Sequence, residues 1–113
     1  MLNYVALDEL RAIYQSASLL VFISLDEGFG LPILEGFASK IPVITSNLSS
    51  MPEVAGNAAT LLDPTSLESI QTVLQNALEK PNMDLIHMAY NRAKNFSWQK
   101  NAEETLNIYK KYL

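Results

Sequence analysis

The chain contains no cysteine. Disulfides and thiolate metal sites are therefore excluded, and a reducing compartment suits it. It also lacks a long apolar run. Ser18 interrupts Ala17–Ile23 and Pro32 interrupts Leu31–Leu34, and neither stretch approaches the roughly 20 apolar residues of a membrane span. The N-terminus shows no basic, then apolar, then small-residue order, so no signal peptide is visible and the cytoplasm is the expected location. Charge is sparse at 18 %, against 49 % hydrophobic residues, a balance that favours a globular core over disorder. A length of 113 residues fits one domain. Bases are scarcest in the first part. Residues 1–60 hold only Arg11 and Lys40 against Asp8, Glu9, Asp26, Glu27, Glu35 and Glu53. With a net charge of -4, nucleic acid is not an expected partner. If the first part holds a phosphate, backbone amides must do it, or positive charge must come from elsewhere.

Short apolar segments alternate with amphipathic ones. Asp8 can cap a helix running to about Ser16, with Leu10, Tyr14 and Ala17 on one face. Leu19–Ile23 reads as a strand buried on both faces. The loop Ser24–Gly30 follows, and then a helix from Leu31 to about Lys40 with Pro32 in its first turn, where the missing N–H costs nothing. Pro42–Thr45 and Thr60–Leu62 read as further strands. Ser50 with Glu53, and Thr65 with Glu68, have capping-box spacing. Gly56 should end the first of those two helices. The second places Leu67, Ile70, Leu74, Ala77 and Leu78 on one face. Met83 to about Asn95 is expected to be helical, and Ser97 to cap a last helix. On that helix Trp98, Ala102, Thr105, Leu106, Tyr109, Tyr112 and Leu113 share a face. The plain expectation is that this face packs on the chain's own core. The alternative is that part of it serves a partner. The pattern implies an α/β class: a Rossmann-like parallel sheet with flanking helices. Three strands make a small sheet for that architecture, which suggests part of a larger domain.

The segment richest in chemistry is Asp26–Glu35, DEGFGLPILE. It joins the end of a strand to the start of a helix, where open parallel sheets bind ligands. Gly28 and Gly30 permit unusual backbone conformations and close approach of a ligand. Amides near Gly30 and Leu31 should point out of the helix N-terminus, whose partial positive charge favours an anion such as a diphosphate. Glu35 lies off the helix's apolar face and can accept hydrogen bonds from paired hydroxyls such as those of a ribose. Glu27, on the other side of the loop, could bind sugar hydroxyls or face positive charge developing on a sugar ring. By spacing alone, a plain turn and an ordinary helix-stabilising Glu are the commoner explanation. The lone His87 is expected on a solvent-facing helix surface. Ser46 and Asn47 either line the site or form a turn. Trp98 suits a core or interface better than a sugar platform.

These residues resemble family 4 of the retaining glycosyltransferases, enzymes of the two-domain GT-B fold. The family carries two Glu separated by seven residues, matched by Glu27 and Glu35 with GFGLPIL between them. Tyr14–Ile23, PVITSN (Pro42–Asn47), SMPEV (Ser50–Val54), Asp63-Pro64 and FSW (Phe96–Trp98) also match in order and spacing. Three positions depart from the pattern: Ile23 for Pro, Gly36 for Ala, and Lys40 for the Gly before the strand.

The resemblance implies that Glu27 contacts the donor sugar as the catalytic residue. It implies that Gly28, Phe29, Gly30 and Leu31 form the donor loop, with the amides of Phe29, Gly30 and Leu31 on the diphosphate, and that Glu35 binds the ribose. It implies sugar transfer from a nucleotide-diphosphate sugar to an acceptor hydroxyl with retention, in polysaccharide assembly, with no cofactor and no metal. The chain would then be the C-terminal, donor-binding half of the enzyme. The N-terminal acceptor domain, the start of the C-terminal domain and the family's basic Arg–Lys pair would lie outside residues 1–113. Expected partners are the nucleotide sugar, a sugar or lipid-linked acceptor, and the other half or a second copy. Any membrane attachment, peripheral at the inner face, would belong to the complete enzyme. Two other readings remain: a non-catalytic interaction module, and an unrelated nucleotide-binding α/β domain. The absence of a Gly-x-Gly-x-x-Gly turn counts against the second.

Overall fold

The computed structural model describes residues 1–113. In chain order the elements are α1 (Leu7–Ser16), β1 (Leu20–Phe22), α2 (Leu31–Ala38), β2 (Val43–Ser46), α3 (Met51–Ala55), β3 (Thr60–Leu62), α4 (Leu67–Glu79), α5 (Met83–Ala93) and α6 (Trp98–Tyr112). The three strands form one parallel sheet in the order β1-β2-β3. Leu20, Val21 and Phe22 pair with Val43, Ile44 and Thr45. Ile44, Thr45 and Ser46 pair with Thr60, Leu61 and Leu62. The α/β expectation holds, and the three strands lie where the apolar runs placed them.

The core gathers around β2, whose four residues are all buried. Ile33 and Phe37 of α2 and Met51 of α3 are fully buried beside Val43, Val54, Ala55 and Ala89. Burying each of the large side chains contributes about 1.5–3 kcal/mol relative to exposure. Gly36 lies on the buried side of α2. A Cβ there would sit 2.7 Å from Val43 Cγ2 and 2.8 Å from Leu20 Cδ2. Glycine at this position therefore lets the helix lie close on β1 and β2, beyond any effect on helix propensity. Lys40 keeps a left-handed backbone, φ 59, so the turn before β2 is retained without the family's glycine. Its ammonium lies 4.5 Å from the Tyr90 ring centroid.

Several local expectations are corrected. Helix α1 begins one residue before Asp8. Ala6 holds the cap position, Asp8 falls in the first turn, and the Glu9 carboxylate accepts from the Ala6 N–H at 3.3 Å. Ser50 precedes α3 but makes no side-chain cap bond, because its hydroxyl is used elsewhere. Ser66 rather than Thr65 caps α4, accepting from the Ser69 N–H at 3.1 Å, while the Thr65 hydroxyl donates to Asp63. Leu67 and Leu78 of α4 are exposed and the half-buried face is Ile70, Val73, Leu74 and Ala77. Strand β1 is not buried on both faces. It is an edge strand, and Val21 stays 40 % exposed.

The largest correction concerns α6. It has the expected Ser97 cap, with Ser97 Oγ accepting from the Lys100 N–H, but it buries no residue. Trp98, Leu106, Tyr109 and Tyr112 are all exposed. The helix runs away from the core, so most of its apolar stripe stays exposed. The radius of gyration, 15.7 Å, accordingly exceeds the about 13 Å of a compact domain this long.

Candidate functional site

The β1–α2 loop is built from hydroxyl bonds supplied by the next strand and turn. Thr45 and Ser46, both fully buried in β2, donate to the carbonyls of Phe22 and Ser24 at 2.7 Å each. Ser46 is thus committed to the backbone and does not line an open site, whereas Asn47 is exposed. Ser49, at a left-handed φ of 55, places its hydroxyl 2.6 Å from Asp26 Oδ1 and 3.1 Å from the Glu27 carbonyl, and accepts from the Glu27 N–H at 3.3 Å. The Ser50 hydroxyl lies 2.9 Å from the carbonyls of both Glu27 and Phe29. These bonds fix the loop from one side and explain the missing cap on α3.

The loop's own residues then take defined positions. Ser24 Oγ donates to Glu27 Oε1 at 2.8 Å, so the half-buried Glu27 is held at its side chain by Ser24 and at its backbone by Ser49 and Ser50. Gly30 is the cap residue of α2 with φ 100 and ψ 47, a conformation that L side chains adopt at a cost. Gly28 differs: its φ is not positive, and a Cβ there would meet nothing within 4 Å. Open space, not backbone strain, distinguishes it. The amides of Phe29, Gly30 and Leu31 donate to no other group of the chain, and the first turn of α2 closes only with Ile33 N–H to the Gly30 carbonyl. Unpaired donors at the positive end of a helix form an anion-binding arrangement.

Glu35, exposed on α2, accepts from the Tyr14 hydroxyl at 2.7 Å. Burial pushes the Tyr14 phenol above its ordinary range, and the hydrogen bond and negative charge of Glu35 push it further. The phenol therefore stays protonated and remains a donor. The helical spacing places Tyr14 on an apolar face and gives no sign of this bond. Its partner is 21 residues away in sequence, so no local spacing could reveal the bond.

A groove of about 600 Å³ flanks the loop, lined by Phe29, Leu31, Leu34, Phe96, Trp98 and the polar side chains of Arg92, Asn95, Lys100 and Glu104 among others. Neither Glu27 nor Glu35 lines it. Phe29 meets Phe96 edge to face, with ring centroids 6.0 Å apart. The FSW segment thus abuts the loop, and Trp98 is a groove residue instead of a core one. Arg92 is committed to α3. It donates to the carbonyls of Val54 and Glu53 at 2.7 Å each. His87 is exposed, as expected. No cluster of three or more His, Asp or Glu side chains forms. No helix is long and apolar enough to cross a membrane.

Residues 1–105 match the family of glycosyl transferases group 1. The chain belongs to that family. Among curated relatives of this group 1 glycosyltransferase chain, the O-antigen chain mannosyltransferase B of Escherichia coli is 38 % identical over 96 % of the chain and 29 % of the relative. The MMP alpha-(1->4)-mannosyltransferase of Mycolicibacterium hassiacum is 34 % identical over 92 % of the chain and 27 % of the relative. The chain therefore spans less than a third of the length of these relatives. Among solved structures, a sucrose-phosphate synthase from Thermosynechococcus elongatus superposes with a TM-score of 0.77 at 25 % identity, over 92 % of this chain and 28 % of that one. The C-terminal domain of a group 1 glycosyltransferase from Francisella tularensis gives 0.72 at 26 % identity, over 83 % of this chain and 51 % of that one. The fold is thus that of a GT-B glycosyltransferase domain.

Proposed function

We propose that this chain forms the donor side of a sugar-transfer site. The unpaired amides of Phe29, Gly30 and Leu31, set between two held carboxylates, carry the reading. A nucleotide-diphosphate sugar would lay its diphosphate on these amides, its ribose hydroxyls on Glu35 and its sugar toward Glu27. The gap at Gly28 admits the ligand to the backbone. In the reaction the bond from the anomeric carbon to the diphosphate oxygen breaks, and the nucleoside diphosphate leaves. An acceptor hydroxyl bonds to the same carbon and gives up its proton, with configuration retained. The Glu27 carboxylate, one oxygen already occupied by Ser24, presents negative charge to the anomeric centre as positive charge develops there. The helix dipole and amides stabilise the departing diphosphate without a side-chain cation from residues 1–60.

The names of the relatives make mannose the first sugar to test and an O-antigen-type saccharide the first acceptor. On this reading the chain corresponds to the C-terminal half of a two-domain enzyme. It contributes part of the donor site and turns over no substrate alone. The acceptor domain and any attachment to the inner face of the cytoplasmic membrane lie in sequence outside it. Calorimetric titration with UDP, GDP and their sugar conjugates tests this. Binding that Glu35→Ala abolishes supports the reading, and the preferred nucleotide names the donor. Equal binding by both proteins removes Glu35 from the site. The exposed stripe of α6 favours a second reading, an interaction module. Concentration-dependent self-association lost in Leu106→Lys, with no nucleotide binding, would favour it.

A further inference from the structure

Tyr14 is the one side chain of α1 that bonds to a candidate donor residue. We propose that it is a positioning residue, whose hydroxyl holds the Glu35 carboxylate in the orientation that accepts both hydroxyls of a ribose. The proposal rests on the reading of Glu35 as the ribose acceptor. Glu35 is exposed on α2, where a free Glu side chain samples several rotamers and loses that freedom on binding. The Tyr14 bond restricts those rotamers before a ligand arrives. A carboxylate offers about four lone-pair sites. Tyr14 occupies one on Oε2 and leaves about three, enough for two ribose hydroxyls. The phenol is fixed in turn by its ring: Tyr14 and Leu10 are the half-buried residues of α1, with the half-buried Ala17 just beyond its end.

A purely structural role, tethering α1 to α2, would appear in stability. It would leave the discrimination between ribose and deoxyribose unchanged. The test is a titration of wild type, Tyr14→Phe and Glu35→Gln with GDP, UDP and their 2′-deoxy forms, with thermal unfolding measured alongside. Wild type is expected to favour the ribonucleotide by about tenfold, one charge-assisted hydrogen bond's worth. Tyr14→Phe is expected to weaken ribonucleotide binding about fivefold, to affect the 2′-deoxy form less, and so to narrow the preference to about twofold. An unchanged preference in Tyr14→Phe, alongside its loss in Glu35→Gln, overturns the role of Tyr14 and leaves that of Glu35 standing. No preference in wild type, or no binding by the folded chain, overturns both. A second readout needs no ligand. The side-chain carboxyl NMR resonance of Glu35 should shift in Tyr14→Phe while that of Glu27 does not, and an unchanged Glu35 resonance overturns the contact itself.

Discussion

Replacing Gly30 with alanine puts a Cβ on a backbone at φ 100, 3.2 Å from Ile33 Cδ1. The left-handed conformation alone costs an L-residue about 1–2 kcal/mol. The close contact adds to that, because Ile33 is fully buried and has little room to yield. A total near 2 kcal/mol should lower the melting temperature of a chain this size by roughly 8 °C. Alanine at Gly28, two residues earlier, meets no atom within 4 Å and no positive φ. There the smaller entropy of the unfolded chain should leave stability unchanged or raise it by about 0.4–1 kcal/mol. Its methyl would nevertheless stand where, on the proposed reading, a diphosphate approaches. Far-ultraviolet circular dichroism melts of both variants, followed by nucleotide titration, separate the two effects. Gly30→Ala should lose stability, while Gly28→Ala keeps its melting temperature and loses affinity. Equal melting losses, or no loss at Gly30, would refute the assignment of strain to one glycine and access to the other.

Other outcomes follow from the same geometry. Arg92→Met removes two bonds to the last carbonyls of α3. It should destabilise the fold by about 2 kcal/mol in urea unfolding, since bonds from a charged donor contribute about 1.5–3 kcal/mol each when well buried, and Arg92 is only half-buried. Ser50→Ala should cost about 1 kcal/mol and speed amide hydrogen exchange across residues 26–31 more than across β2. Gly36→Ala gains roughly 1 kcal/mol of helix propensity but overpacks Leu20 and Val43 at a cost of about 1–3 kcal/mol; thermal melts should show a net loss. The Asp63 carboxyl is held below its ordinary range by the Thr65 hydroxyl and N–H. Its contribution is full above pH 3.8 and fades as pH falls through the lower folded value. Asp63→Asn should therefore lower stability slightly at neutral pH, leave it unchanged at low pH, and so flatten the acid limb of the stability profile.

Much of the fold was legible because its signals are local. The β2 run, the α2 proline and the Gly56 stop each act within a few residues, and each stands where the sequence placed it. The candidate loop was legible for the same reason, from Gly30 and the start of α2. The hydroxyls were not. Ser50 has the spacing of a helix cap, and only the tertiary approach of the β1–α2 loop offers it two carbonyls instead. Tyr14 likewise fits an apolar helix face until Glu35 comes within 2.7 Å. The fate of the α6 stripe was not legible, because periodicity reports that a face is apolar, not what covers it.

On the proposed reading the amides of Phe29, Gly30 and Leu31 receive a diphosphate. Amide NMR shifts recorded while GDP or UDP is titrated into the chain test it most directly. Saturable shifts are expected that centre on these three residues, spread along the first turn of α2 and fall away before Phe37. Shifts confined to the groove of Phe96 and Trp98, or none in a folded chain at millimolar nucleotide, would contradict it.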